Sequence, residues 1–304
     1  MSMNIQETLK FIDIVVSLKI KSVPLLLGET GIGKTEIIGQ LAMSKDWDFI
    51  PLYVSQLEPS DFVGLYKIND DGRTANCPPN WLPYKEAKTE EDKREHNKII
   101  LSKLKHGEIN PNGGIIFLDE INRGHEDIRQ ALYQFISTGC VHTYKKPDNY
   151  HLVAAANPGT YETYEFDKAL INRFMWIDFK PTVQETINYY IKKYGKSDVI
   201  SWLYGDKSLL EYGEVTEQEM PVLSPRMGEN AIALYEGIKG EGDTFIRKSL
   251  ETMMVAEKVQ SFLSFREELK HMNSKDVLKG KFKDKVEELL EKKRFDVLSS
   301  ITLD

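Results

Sequence analysis

The chain has 304 residues, 41% of them hydrophobic and 29% charged, and a net charge of −7. That length can bury a large core and favours two domains over one, and no apolar run is long enough to span a bilayer. The acidic balance advertises no nucleic-acid partner, although a local basic stripe can hide inside it, and Cys77 and Cys140 match neither a metal-ligand spacing nor a disulfide framework.

Taken in order, residues 4–18 read as an amphipathic helix, with Ile5, Leu9, Ile12 and Val16 recurring at helical intervals. Asp13 interrupts the apolar run 11–16 and no small-residue cleavage site follows, so a secretory leader is not expected and a reducing, cytoplasmic location is. Val23-Pro24-Leu25-Leu26-Leu27 is a short buried strand. It runs into Gly28-Glu29-Thr30-Gly31-Ile32-Gly33-Lys34-Thr35, which fits the phosphate-loop pattern G-x-x-x-x-G-K-[ST] without a mismatch and opens a helix. The glycines let successive backbone N–H groups face one anion, and the helix that follows adds the positive end of its dipole. Lys34 is expected on the β- and γ-phosphates of a nucleotide such as ATP, and Thr35 on Mg²⁺.

Residues 49–54 form a second strand candidate, in which Pro51 points to a sheet edge or a bulge. An irregular region follows, and its stretch 85–108 carries basic and acidic residues in near balance, as a solvated helix does. Gly113-Gly114-Ile115-Ile116-Phe117-Leu118 is a buried strand ending in Asp119-Glu120, a Walker B arrangement. Ligands of parallel sheets sit at the carboxyl ends of strands, so Asp119 is expected on Mg²⁺ and Glu120 on the attacking water. After a loop at 121–125, Ile128, Leu132, Phe135 and Ile136 share one helix face. A hairpin is expected next, with its first strand at 141–144, its turn at 145–149 and a return into the buried strand 151–156, which ends at Asn157; Lys145 and Lys146 would then sit on the turn. Residues 174–179 supply a fifth strand. Five apolar strands alternating with helical segments predict a parallel, doubly wound sheet over residues 1–180. From 181 to 304 the period is helical, with helices expected at 183–194, 226–238, 244–271 and 282–298.

These pieces together resemble the AAA+ ATPases, most closely their MoxR-like branch, which is related to the ATPase modules of dynein and midasin. The resemblance spans roughly residues 20–230. It rests on Asp119-Glu120-Ile121-Asn122-Arg123 with Gln130-Ala131-Leu132 beyond it, on Pro59-Ser60-Asp61 with Gly64, on Asn157-Pro158-Gly159-Thr160-Tyr161, on Ala169-Leu170-Ile171-Asn172-Arg173-Phe174 and on Ser224-Pro225-Arg226. It implies a five-stranded P-loop domain followed by a helical lid. It implies further that Asn157 positions the attacking water, that Arg226 contacts phosphate from the lid, and that Arg173 acts in trans within a homo-oligomeric ring of six subunits. Remodelling of a protein substrate or adaptor is the implied work, with a nucleic-acid motor or a weakly hydrolysing scaffold as rivals. Two departures stand out: Asn172 where the branch usually has Asp, and the long charged stretch at 85–108. Arg123 competes with Arg173 as a trans-acting cation, and sequence does not rank them. His125, His142 and His151 are not spaced as metal ligands.

Overall fold

A computed structural model describes residues 2–83, 110–142, 144–158, 171–211 and 222–270. The chain divides into two compact units, one of residues 1–28 with 34–180 and the other of 29–33 with 181–304.

The first unit is built on a five-stranded parallel sheet. Its strands are β1 (Val23–Leu27), β2 (Asp48–Tyr53), β5 (Gly114–Asp119), β8 (Tyr150–Ala156) and β9 (Phe174–Asp178), in the order β2-β5-β8-β1-β9. All of β5 is buried, which a strand flanked by two others and covered on both faces requires, and its run of Ile115, Ile116, Phe117 and Leu118 meets that demand. Pro51, lacking a backbone donor, falls on β2, an edge of the sheet. The register sets Leu118, Ala154 and Leu25 side by side across β5, β8 and β1. The loops that leave these three neighbouring strands therefore emerge together.

Helices flank this sheet. Helix α1 (Ile5–Ser17) starts on an Asn4–Glu7 capping box and buries Thr8, Ile12, Val15 and Val16. Helix α2 (Lys34–Ser44) leaves the phosphate loop, and α4 (Glu126–Thr138) buries the four residues expected from its periodicity. Between them, α3 (Pro59–Val63) leads into a ribbon of β3 (Leu65–Ile68) and β4 (Thr74–Cys77). Gly64 joins the two at φ 82°, where a Cβ would stand 1.9 Å from the Cys77 carbonyl oxygen, so no larger residue fits. The ribbon is pinned at its base, where Trp81 packs on Phe62 and Phe135 and its indole N–H donates to the Asp61 carbonyl. The charged stretch 85–108 lies outside the described residues.

The hairpin after α4 turns earlier than its sequence suggests. Gly139 ends α4 in the left-handed conformation, β6 (Cys140–Val141) pairs with β7 (Tyr144–Lys145), and Val141 already faces Tyr144. Lys145 is thus a strand residue, ion-paired with Asp148 at 2.9 Å, and the Lys146 ammonium is tucked under the turn, donating to the carbonyls of Tyr150 and Pro147. Burial lowers the Lys146 pKa to about 8.

The second unit is helical, with α5 (Val183–Tyr194), α6 (Asp198–Gly205), α7 (Pro225–Ile238), α8 (Asp243–Leu250) and α9 (Ala256–Lys270) among the described residues. Its core gathers Ile187, Tyr190, Trp202, Leu203, Ile232, Tyr235, Phe262 and Phe265. The single helix expected at 244–271 is two helices. The buried positions Ile246, Leu250 and Met254 keep a step of four, and the next, Val259, comes five residues later, so one straight helix cannot carry both sets on one face. Helix α6 was not among the expected helices: it buries Val199, Ile200, Trp202 and Leu203 on one face, but its eight residues make only about two turns, too short a run for a period to stand out. The helix expected at 282–298 lies outside the described residues. No helix among the described residues is long and apolar enough to cross a membrane.

Candidate active site

At the carboxyl end of β1 the chain turns through Gly28, whose N–H donates to the Ala156 carbonyl on β8. Lys34, at the start of α2, returns its ammonium to this point. It is 6% exposed and donates to the Gly28 carbonyl at 2.7 Å and to Asn157 Oδ1 at 2.6 Å. A buried ammonium needs such partners, and a phosphate entering the loop would offer it better ones.

Thr35 Oγ1 donates to Asp119 Oδ2 at 2.5 Å, and Asp119 Oδ1 accepts the N–H of Glu120 at 2.9 Å. A hydroxyl and a carboxylate this close form a hard-oxygen pair suited to Mg²⁺, which binds through one or two protein oxygens and takes the rest of its shell from phosphate and water. Among the described residues no group of three or more His, Cys, Asp or Glu is placed to hold a metal. Thr35 and Asp119 offer oxygens that could hold such an ion.

Glu120 has φ 53° and ψ 38°, the left-handed region, which costs a non-glycine residue about 1–2 kcal/mol. Its carboxylate accepts a hydrogen bond from the Ser55 hydroxyl and faces the Arg123 guanidinium at 3.5 Å. Strain and partners together fix the carboxylate at the tip of β5. Arg123 thus meets Glu120 within its own chain.

Asn157 is held from the neighbouring loop. The Asn122 side chain donates to its carbonyl at 2.8 Å and accepts its N–H at 3.3 Å, and both residues are buried. Ser55 and Asn122 carry no motif signal of their own as supports. Asn122 was visible only as a letter of the Walker B string, and Ser55 only as a polar residue just beyond β2.

Arg173 sits at the opposite end of the sheet, where its carbonyl accepts the N–H of Val23 at the start of β1. At about 3.3 Å per residue, the five steps from Val23 to Gly28 span about 16 Å, farther than an arginine side chain extends. Glu29, Thr30, Gly31, Ile32 and Gly33 belong to the second unit, with Gly31 and Gly33 at φ 77° and 94°. There the Arg226 backbone N–H, in the first turn of α7, donates to the Gly31 carbonyl at 3.2 Å. Ser224 caps that helix through the N–H of Met227, and the Arg226 side chain is exposed.

A parallel sheet in this strand order, with a phosphate-loop lysine, a Thr–Asp pair and a glutamate at adjacent strand ends, defines a P-loop nucleoside triphosphatase domain of the AAA+ class. Residues 24–174, just under half of the chain, match the family model of the AAA domain, dynein-related subfamily. A solved structure from Cytophaga hutchinsonii, described as a candidate ATPase, is similar at 17% identity with a TM-score of 0.40, over 75% of this chain and 62% of that one. The present chain thus spans less than two thirds of that protein's length. No curated protein matches the sequence.

Proposed function

We propose that this chain hydrolyses ATP as a MoxR-like AAA+ ATPase, assembled in a homo-oligomeric ring of six subunits in the cytoplasm, and couples hydrolysis to remodelling of a protein partner. The observation that carries this reading is the cluster of Lys34, Thr35, Asp119, Glu120 and Asn157 at three neighbouring strand ends, a set that a mere nucleotide binder would not need in full.

In the proposed reaction water attacks the γ-phosphate in line. Mg²⁺, when bound, neutralises charge on the β- and γ-phosphate oxygens. Lys34 exchanges Gly28 and Asn157 for phosphate oxygens. Asn157, released from Lys34, orients the water, and Glu120 takes its proton after leaving Ser55 or Arg123. Arg226 reaches phosphate from the helical unit, which acts as a lid. Arg173 completes the site of a neighbouring subunit, because its own phosphate loop lies a full strand length away. An arginine supplied this way is worth roughly 10³–10⁵ in rate, so an isolated subunit should be nearly idle.

A protein partner is favoured over nucleic acid by the fate of the two hairpin lysines. Lys145 is ion-paired with Asp148, and the half-buried Lys146 gives its ammonium to two backbone carbonyls, so they do not form the solvent-facing basic pair that phosphate contacts require.

ATP and GTP hydrolysis measured against protein concentration, with light scattering on the same samples, tests the reading. Turnover should rise with assembly and vanish in Glu120→Gln while nucleotide binding persists. Concentration-independent turnover by a monomer would overturn it.

A further inference from the structure

Arg173 is held at more points than a surface arginine needs. Its carbonyl accepts the Val23 N–H at 2.9 Å, and the turn before it is tied down by the Trp176 indole, which donates to the Ile171 carbonyl at 3.2 Å. Its guanidinium lies over the Tyr133 ring, 4.4 Å from the centroid. Tyr133 is itself partly buried, packed on the sheet core from the same helix that buries Leu132 and Ile136. Its ring is therefore a fixed surface against which a mobile cation can settle.

We propose that Tyr133 is a positioning residue for Arg173: its ring holds the guanidinium in the orientation that a neighbouring subunit's nucleotide meets. This rests on the reading of Arg173 as a trans-acting residue. A free arginine side chain samples many rotamers, and its planar fork must be aligned before it can meet phosphate oxygens. Stacking on a rigid ring removes much of that freedom ahead of assembly, so less ordering remains when the transition state forms. Any aromatic face serves this purpose. The Tyr133 hydroxyl is dispensable to it.

The test compares wild type, Tyr133→Phe, Tyr133→Leu and Tyr133→Gln in steady-state ATP hydrolysis, at protein concentrations where light scattering shows equal assembly. Thermal unfolding of each variant is recorded alongside, and two ring-free variants guard against one failing to fold. The expected result is wild-type kcat in Tyr133→Phe and, in both ring-free variants, a roughly two- to fivefold lower kcat at unchanged KM, the factor that a partly exposed cation–π contact carries. A purely structural tyrosine would lower the unfolding temperature and leave kcat of the assembled protein alone; that outcome overturns the proposal. A loss in Tyr133→Phe equal to that in Tyr133→Leu also overturns it, because the ring face would not be what matters. Arg173→Ala is the control: full turnover there overturns the trans reading itself, whereas an inactive Arg173→Ala beside a fully active Tyr133→Leu overturns the positioning role alone.

Discussion

Replacing Asn122 by alanine should damage a site that Asn122 does not itself enter. Its amide group makes two hydrogen bonds to the backbone of Asn157, at 2.8 and 3.3 Å, and the two residues are 7% and 4% exposed. The substitution strips partners from a backbone N–H and a backbone carbonyl in a buried residue. Each such group costs about 1–3 kcal/mol when left unsatisfied, so about 2–4 kcal/mol of stability should be lost, allowing for some relaxation of the loop. Asn157 also anchors the Lys34 ammonium at 2.6 Å, so its displacement should reach the phosphate loop. Urea unfolding followed by fluorescence gives the stability change, and ATP turnover at a urea-free temperature well below the transition gives the activity. A drop of at least tenfold in kcat is expected beside the lost stability. A variant within 0.5 kcal/mol of wild type with full turnover would show that Asn157 holds its place without Asn122.

Other expectations concern the loop and the sheet. Lys34→Met should weaken nucleotide binding at least tenfold in a titration with fluorescent ATP, since a buried cation would no longer meet the phosphates. Gly31→Ala should lower stability by about 1–2 kcal/mol, because Gly31 has φ 77° and the added Cβ would stand 3.4 Å from the Arg226 Cβ; no loss on thermal or urea unfolding would exclude that backbone conformation. His151 stacks on Trp47, and burial, followed by the charges of Lys146 and Lys19, lowers its pKa from 6.5 to about 4. Between those values the unfolded chain takes up a proton that the folded chain refuses, so stability falls as pH falls through this window. His151→Phe, which keeps a stacked ring, should lose less stability than wild type between pH 6.5 and 4; equal slopes would place the His151 pKa near its ordinary value.

The residues legible in sequence are those whose signal is local. The phosphate loop, the strand ending in Asp119-Glu120 and the face of α4 each declare themselves within about a dozen positions, and Pro51 marked an edge strand. What stayed hidden depends on partners far along the chain. Ser55 meets Glu120 across 65 residues and Asn122 meets Asn157 across 35, and neither pairing leaves a periodic trace. The stack of Arg173 on Tyr133 is of the same kind. Lys-Lys-Pro-Asp-Asn is a strong turn composition and points to a later turn, yet the left-handed conformations of Gly139 and His142 reverse the chain before it. The break between α8 and α9 was written in the sequence as a step of five between Met254 and Val259, a change of phase that a search for helical spacing alone passes over.

The most direct test of the central claim mixes two inactive proteins. Glu120→Gln keeps Arg173 but lacks the group that activates water, and Arg173→Ala keeps Glu120 but lacks the cation offered to its neighbour. Each alone should bind ATP and hardly hydrolyse it. Mixed in equal amounts and shown by light scattering to assemble together, they should regain measurable turnover, because some interfaces then join an intact Glu120 to an intact Arg173. Co-assembled mixtures that stay inactive, or an Arg173→Ala protein that hydrolyses ATP unaided, would contradict a site completed between subunits.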